Sequence, residues 1–301
     1  MKRRFFFKNT MATGAGLVLG VDRRDAMGLE KASAFAIMEE VRKYRKIDAH
    51  AHVALTANPS PQWELDFAER LHITRLVASK PVSRYLEATP QEFRACNDRV
   101  LACMREAPDK IIGQMTLNPR FQKESLEEIE RCMDLGMCGL KVYSHVNIND
   151  PLFYPIIEKF IDLKMIILMH VGVGRSRINF DPGEARSTSI AEDFVAVAQR
   201  FPEAMFQFAH LAGGGDWEGS CKELANSPNV YVDISGSNND ANIIDFAMEY
   251  VGEDRILFGC DNSFYQGVGH VLAADLSDAQ RHKIYFENYN NILRKAGRHV
   301  D

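Results

Sequence analysis

Histidines and one aspartate stand where short apolar segments of the chain end, and these residue types bind metals. His50 and His52 lie in KIDAHAHV, His170 lies in MIILMHV, and Asp261 ends RILFGCD. Side chains two apart on a strand share a face, so His50 and His52 point the same way. Two imidazoles from one strand, a third from another and a carboxylate can surround one divalent ion. Zn²⁺ suits such donors best, with Mn²⁺ and Fe²⁺ as alternatives.

The apolar segments that carry these residues alternate with helical patterns. Strands are predicted at 46–53, 73–79, 111–117, 138–144, 165–171, 205–211, 230–235 and 255–261. Helices are predicted between and after them, at 62–71, 90–107, 123–135, 151–163, 189–200, 217–226, 241–251 and 277–295. Strands that are apolar on both faces and separated by helices indicate an α/β protein with a parallel sheet. Eight such units predict a (β/α)8 TIM barrel, because no glycine-rich phosphate turn follows the first strand.

A barrel also explains where the candidate residues fall. Active sites of this architecture lie at the carboxyl ends of the strands, and His50, His52, His170, His210 and Asp261 all map to that end. Burying several ionisable groups there is costly unless a metal or hydrogen bonds satisfy them. Their shared position therefore strengthens the prediction of one metal site. Asp48, on the same face of the first strand, is predicted either to support this site or to cap the backbone.

Composition excludes several classes of protein. The chain has 301 residues, of which 46% are hydrophobic and 26% charged, which is typical of a folded globular protein. Its net charge of -5 argues against a nucleic-acid-binding surface. No apolar run reaches the roughly 18 residues of a membrane-spanning helix. The six cysteines form no CxxC pair. The expected partner is a small-molecule substrate, and a homo-oligomer is left open.

The first 45 residues are predicted to lie outside the barrel. Arg3 and Arg4 are followed by three phenylalanines, a lysine and a weakly apolar stretch, which is the layout of an export signal and resembles the twin-arginine type. Residues 1–30 are therefore predicted to direct the protein to the periplasm or out of the cell. Without a working signal the protein would be cytoplasmic. A helix is predicted at 31–45, and the catalytic domain at 46–301.

Four segments together resemble the diagnostic blocks of the amidohydrolase superfamily. They are IDAHAHV, LMHVGVG, FAHLAGG and RILFGCDNSF. More narrowly, they resemble its amidohydrolase-related branch, which is similar to aminocarboxymuconate-semialdehyde decarboxylase, and the likeness extends over 46–295. It implies that His50, His52, His170 and Asp261 hold one metal ion and that His210 acts on the substrate or on water. Lys141, in the GLKVY segment, stands where binuclear relatives use a carboxylated lysine to bridge two metals, and for Lys141 a structural or substrate-facing role is favoured over a bridge.

Two reactions fit this site. In the favoured hypothesis, a metal-activated water attacks the carbonyl of an ester, lactone or amide, with Asp261 carrying the proton and His210 assisting. The alternative is non-oxidative decarboxylation of an aromatic or unsaturated acid. Basic residues that could recognise a carboxylate are Lys80, Arg175, Arg177 and Arg186. A metal-binding barrel without activity is the least favoured hypothesis.

Overall fold

The computed structural model describes residues 37–55, 60–82, 87–171, 187–213 and 216–301. The chain divides into two compact units, Met1–Glu40 and Val41–Asp301. Within the first unit only residues 37–40 are described, and they are helical. The predicted export signal, and the first part of the helix predicted at 31–45, therefore lie outside the described residues.

The second unit contains a parallel sheet whose strands follow one another in chain order. They are β1 Lys46–His52, β2 Ile73–Ser79, β3 Ile111–Gly113, β4 Met115–Thr116, β5 Leu140–Val142, β6 Ile166–Met169, β7 Met205–Phe208, β8 Val230–Asp233 and β9 Ile256–Leu257. Neighbouring strands pair in parallel as β1-β2-β3 and as β4-β5-β6-β7-β8-β9. The residue between β3 and β4, Gln114, bonds from its backbone N–H to the Ala78 carbonyl at 2.8 Å. β3 and β4 are thus two halves of one barrel strand.

Backbone hydrogen bonds also close the sheet into a ring. The N–H of Ala49 in β1 donates to the carbonyl of Phe258 at 2.8 Å. The N–H of Asp261 donates to the carbonyl of His50 at 2.7 Å. These bonds join the first strand to the segment that follows the last one, so the eight strand positions form a barrel. The prediction of a (β/α)8 barrel is confirmed.

Helices precede, separate and follow the strands along the chain. They are α1 37–43, α2 Gln62–Arg70, α3 Pro90–Glu106, α4 Gln122–Asp134, α5 Tyr154–Leu163, α6 Ala191–Arg200, α7 Trp217–Leu224, α8 Ile243–Tyr250, α9 Phe264–Ala273, α10 Asp278–His282 and α11 Asn288–Lys295. Short 3-10 turns occupy Pro151–Phe153, Leu211–Gly213 and Glu253–Arg255, and a π turn at Lys283–Glu287 joins α10 to α11. Among the described residues, no helix is both long and apolar enough to cross a membrane.

The core consists of apolar side chains from both faces of the strands and the inner faces of the helices. In β1, Ile47, Ala49 and Ala51 belong to this core, while Asp48 and His50 alternate with them and are equally buried. Burying ionisable side chains is unfavourable unless hydrogen bonds or ions compensate for the lost hydration. The polar face of β1 therefore requires partners, and the candidate site provides them.

Glu128 of α4 is a fully buried carboxylate that links three elements of the barrel wall. It accepts hydrogen bonds from Arg131 at 2.6 and 2.8 Å and from Asn97 of α3 at 2.9 Å. Asn97 in turn bonds both backbone groups of Thr116 in β4, at 2.7 and 3.1 Å. Burial acts to raise the pKa of Glu128, but the bonds from Arg131 and Asn97 outweigh it and hold the pKa below its ordinary value. The ionised carboxylate therefore stabilises the fold.

Replacing Glu128 with glutamine is expected to lower the free energy of unfolding near neutral pH by about 2 kcal/mol, because charge-assisted bonds are lost in a buried position. The pKa of Glu128 is lower in the folded than in the unfolded protein, so its contribution is present above the unfolded value of about 4.3. It is lost as the pH falls through the folded value. Urea unfolding of both proteins at several pH values measures the difference.

The matched control for this variant is Glu127→Gln. Glu127 is exposed and lies 3.8 Å from Lys123, so the control should cost no more than about 0.5 kcal/mol. A destabilisation by Glu128→Gln that stays constant as the pH falls below the unfolded pKa of glutamate would contradict the assigned role of the ionised carboxylate.

Candidate metal centre and active site

The predicted site residues meet at the carboxyl ends of the strands, but three of them lie beyond the strands on which they were predicted. His50 and His52 belong to β1. His170 directly follows β6, His210 stands two residues after β7, and Asp261 stands four residues after β9. The strands are shorter than their apolar patterns suggested, because the pairing between neighbouring strands ends before these three residues.

Left-handed backbone conformations turn two of these residues into the site. His210 has a φ of 58° and Asp261 a φ of 46°, and Asn262 follows with 60°. Residues other than glycine rarely adopt such values, although His, Asn and Asp tolerate them better than most. Strained backbone of this kind is concentrated at functional sites, where the surroundings stabilise it. Here the turns bring His210 and Asp261 together, with 3.7 Å between His210 Nδ1 and Asp261 Oδ2.

His50, His52 and Asp261 form a compact group of potential ligands. One ligand atom from each lies within 4.8 Å of the others, and the group is buried or half-buried. His52 Nε2 is 2.9 Å and His50 Nε2 is 3.7 Å from the same carboxylate oxygen, Asp261 Oδ1. Two imidazoles and one carboxylate are a donor set for a divalent transition metal. This group could therefore hold a metal ion.

The hydrogen bonds of His50 favour this use. Its Nδ1 lies 3.0 Å from the buried Asp233 carboxylate, so Nδ1 carries the proton and Nε2 presents its lone pair to the site. Lys141 Nζ lies 2.9 Å from that Nε2 and is fully buried. Burial lowers the pKa of Lys141 to about 8. A metal ion bound at Nε2 would replace the bond to Lys141. This lysine therefore lies inside the site, and its structural or substrate-facing role stays a prediction.

His170 contacts His210 rather than the His50 group. Its Nδ1 lies 3.0 Å from His210 Nε2, and the two rings meet edge to face at 4.9 Å between centroids. His210 also lies beside His50, with 4.8 Å between ring centroids. The four histidines thus form a continuous cluster. His170 stays a predicted metal ligand, and His210 a predicted catalytic residue.

Two residues that the sequence analysis missed, Asp233 and Ser235, hydrogen-bond to the histidine cluster. Asp233 ends β8 and accepts bonds from His50 Nδ1 and from Gln207 Nε2 at 2.9 Å. Ser235, two residues later, bonds Asp233 at 2.5 Å and His210 Nδ1 at 3.0 Å. The search for polar residues at strand ends could have found both, because they lie in the predicted strand 230–235.

Other bonds hold the two histidines of β1 against the closing segment. His52 Nδ1 lies 3.1 Å from Ser79 Oγ. The Asn262 side chain bonds both backbone groups of His52, at 2.8 and 2.9 Å. Asp48 accepts from the N–H groups of His50 and Cys260, both at 3.0 Å. Asp48 therefore connects β1 to the segment that carries Asp261.

Burial sets the acid–base properties of the site. Together with the Lys141 charge, it lowers the pKa of His170 to about 3. It also lowers the pKa of His210 well below its ordinary value. Burial acts to raise the pKa of Asp261, but the charge of His50 and the bond to His52 outweigh it and hold that pKa low. The site therefore combines neutral imidazoles at His170 and His210 with an ionised carboxylate at Asp261, and neutral imidazoles and ionised carboxylates are the forms that bind a cation.

The predicted carboxylate-binding residues are only partly described. Lys80 Nζ donates to the Ala54 carbonyl at 2.7 Å, which ties the end of β2 to the segment after β1. Arg175, Arg177 and Arg186 lie outside the described residues. Lys141 is therefore the described basic side chain that lies directly against the histidines.

Comparison with known proteins agrees with this architecture. The chain is 24% identical over 229 residues to a 2-amino-3-carboxymuconate-6-semialdehyde decarboxylase of Dictyostelium discoideum, a match that covers 64% of this chain and 63% of that protein. The chain thus spans less than two thirds of that relative's length. It is also 24% identical over 243 residues to a 2-keto-4-carboxy-3-hexenedioate hydratase of Sphingobium sp., covering 66% of this chain and 70% of the hydratase.

A solved structure and a family model complete the comparison. A dihydroxybenzoic acid decarboxylase of Polaromonas sp., solved with bound manganese and the inhibitor 2-nitroresorcinol, superposes with a TM-score of 0.62. It is 15% identical, and the match covers 83% of this chain and 97% of that one. The family model described as Amidohydrolase matches residues 47–288, which include every predicted ligand. The resemblance seen in the sequence is confirmed, and the chain belongs to the amidohydrolase family.

Proposed function

We propose that the protein is a metal-dependent decarboxylase that removes CO₂, without oxidation, from an aromatic or unsaturated carboxylic acid. One of the two relatives that are 24% identical is a decarboxylase by name, as is the superposed structure, and the other relative is a hydratase. The two decarboxylases support the alternative that the sequence left open rather than hydrolysis of an ester, lactone or amide.

The observation that carries the proposal is the excess of basic groups around one carboxylate. His50, His52 and His210 lie within 3.7 Å of Asp261 oxygens, and Lys141 Nζ is 2.9 Å from His50. The other nearby carboxylate, Asp233, is occupied by hydrogen bonds. The Lys141 ammonium together with a bound divalent ion would attract an anionic substrate, and an imidazole that takes up a proton could deliver it. Decarboxylation needs both, because the carbon that loses CO₂ must gain a proton.

We assign the metal to His50, His52 and Asp261, with His170 as the predicted fourth ligand. Imidazole and carboxylate donors suit Zn²⁺, which is the predicted ion, and also Mn²⁺, which is bound in the superposed decarboxylase. When bound, a divalent ion would act as a Lewis acid that neutralises substrate oxygens. Asp261 is ionised at neutral pH because its pKa lies below the ordinary value, so its carboxylate could bind this ion.

His210 is the proposed proton carrier. In the reaction the bond between the carboxylate and the neighbouring carbon breaks, CO₂ leaves, and the electron pair stays on that carbon and takes up a proton. Burial lowers the pKa of His210, so the imidazolium form gives up its proton readily. His210 would take up a proton from solvent water at Nε2, in place of its bond with His170 Nδ1, and transfer it to this carbon. Asp261 Oδ2, which lies 3.7 Å from His210, would keep the imidazolium oriented.

The test distinguishes three reactions in one experiment. The full-length protein, loaded with Zn²⁺ or Mn²⁺, is incubated in deuterated, ¹⁸O-labelled water with hydroxybenzoates, unsaturated dicarboxylic acids, esters and lactones. Decarboxylation is expected to release CO₂ and to leave one deuterium at the vacated carbon, without ¹⁸O. A product that keeps its carboxylate and gains ¹⁸O would contradict the proposal and indicate hydrolysis or hydration. The His210→Asn variant serves as the control for catalysis by contaminants.

A further inference from the structure

One hydroxyl group, Ser235 Oγ, lies between the supporting carboxylate and two of the site histidines. Ser235 is 1% exposed. Its oxygen is 2.5 Å from Asp233 Oδ1, 3.0 Å from His210 Nδ1 and 3.3 Å from His50 Nδ1. A serine hydroxyl has one proton to donate and can accept two hydrogen bonds. The neighbour that accepts the hydrogen bond of this hydroxyl determines which ring nitrogens of His210 and His50 carry a proton.

The hydroxyl group of Ser235 must donate its hydrogen bond to Asp233. Two donors point at its Oδ2, namely His50 Nδ1 at 3.0 Å and Gln207 Nε2 at 2.9 Å. Two backbone N–H groups point at its Oδ1, from His210 at 3.2 Å and from Ser235 at 3.1 Å. With donors on both oxygens, Asp233 accepts throughout and carries no proton of its own. A contact of 2.5 Å between Ser235 Oγ and Oδ1 is therefore a hydrogen bond that the hydroxyl donates.

The direction of that bond fixes the histidine tautomers. Since the Ser235 hydroxyl donates its hydrogen bond to Asp233, the Ser235 oxygen can only accept a hydrogen bond from His210. The ring proton of His210 is therefore on Nδ1. Nε2 of a neutral His210 is then an acceptor, and the partner 3.0 Å away, His170 Nδ1, must donate to it. The lone pair of His170 is consequently on its Nε2. One hydroxyl thus determines which nitrogen of His210 and of His170 is basic.

Backbone contacts keep the hydroxyl in place. The Ser235 carbonyl accepts from the N–H of Ala212 at 3.0 Å, which joins the segment after β8 to the turn that follows His210. Gly236 has a φ of 129°, and a Cβ at this position would lie 2.2 Å from the Ala212 carbonyl carbon. Only glycine allows so close an approach. The position of Ser235 relative to His210 is therefore set by the fold.

We propose that Ser235 is a positioning residue that, through its bond to Asp233, holds His210 in the Nδ1–H tautomer and His170 in the Nδ1–H tautomer. His210 then keeps its basic lone pair on Nε2, which can take up a proton only once the bond from His170 Nδ1–H breaks, and His170 offers Nε2 as a ligand. The assignment of these nitrogens to catalysis rests on the proposed function, whereas the tautomers themselves do not.

The test is ¹⁵N NMR of histidine-labelled, full-length protein, with Zn²⁺ added and again after chelation. Long-range ¹H–¹⁵N spectra distinguish the two tautomers, and His210→Asn assigns the His210 signals. The wild type is expected to show Nδ1–H at His210. In Ser235→Ala the ratio of Nδ1–H to Nε2–H at His210 is expected to fall about tenfold, because the acceptor of Nδ1–H is removed. Ser235→Thr, which keeps the hydroxyl, is expected to restore the ratio.

Activity gives a second readout that a purely structural role would not produce. Turnover by Ser235→Ala is expected to fall about 10- to 100-fold, with KM little changed and turnover recovered in Ser235→Thr. Ser220→Ala is the matched control, because this half-exposed serine of α7 bonds the carbonyl of Asp216, which precedes the helix. An Nε2–H tautomer at His210 in the wild type, or an unchanged ratio in Ser235→Ala, would overturn the inference. Failure of the decarboxylation assay leaves the tautomer result intact, so the two proposals fail separately.

Discussion

Replacing His210 with asparagine is expected to leave the metal content of the protein unchanged and to lower kcat by about 10²- to 10⁴-fold. His210 lies outside the compact group of His50, His52 and Asp261, so its loss removes none of those ligand atoms. Asparagine is polar and similar in shape, but it cannot carry a proton between Nε2 and a substrate. An interaction that is made only in the transition state changes kcat more than substrate binding.

Metal analysis and steady-state kinetics on the same preparation measure both quantities for His210→Asn. If this variant loses its metal as completely as a ligand variant, His210 is itself a ligand and the assignment is wrong. If turnover is unchanged, His210 is a packing residue, and proton transfer depends on Asp261.

Replacing His50 with alanine is expected to empty the metal site and thereby abolish turnover. His50 Nε2 faces Asp261, and its Nδ1 donates to the buried Asp233. Removing the ring therefore deletes a ligand atom and deprives a buried carboxylate of one donor. We expect the metal affinity to fall by more than the roughly 10- to 100-fold that loss of a supporting residue costs. Dialysis against a series of metal-buffered solutions measures this change.

Circular dichroism must accompany the His50→Ala measurement, because the lost donor to Asp233 also destabilises the fold. His282→Ala is the matched control, since this histidine is 45% exposed and pairs with Glu287 on the surface. Wild-type metal content in a folded His50→Ala protein would remove His50 from the ligand set.

The alternating pattern of apolar strands and helices was sufficient to predict the barrel, but one helix escaped it. α9, Phe264–Ala273, contains Gly267 and Gly269, and glycine disfavours a helix by about 1 kcal/mol each. Gly267 is required by packing, because a Cβ there would lie 2.9 Å from Cys260 Sγ. Tertiary contacts thus outweigh local propensity in α9.

The π turn inside the last helix was equally hidden. The carbonyl of Ile284 accepts from the N–H of Phe258 at 3.1 Å, so this turn is held by a contact with the segment that closes the barrel. The pattern at 277–295 is helical throughout and carries no sign of that bond. Long-range contacts of this kind cannot be read from periodicity.

The site was predictable in its donors but not in its supports. His50, His52 and Asp261 stood out because ionisable residues at the ends of apolar strands are costly to bury unless a metal or hydrogen bonds compensate. Asp233 and Ser235 stood in the same kind of position, but a single carboxylate and a hydroxyl carry little signal alone. Their roles appear only once the sixth and seventh strand positions lie side by side. The left-handed turns at His210 and Asp261 had no signal in the sequence, since neither residue is glycine.

The bonds that close the barrel also set when the site can exist. The pair between His52 and Asn262 spans 210 residues of chain, and contacts so distant in sequence form late because the intervening loop must first be closed. During synthesis the two histidines of β1 emerge long before Asp261. A metal ion would therefore meet its full set of predicted ligands only after the ring has closed, and by binding the closed form it would stabilise the closed ring. A bound metal ion at this site would therefore indicate that the barrel has closed.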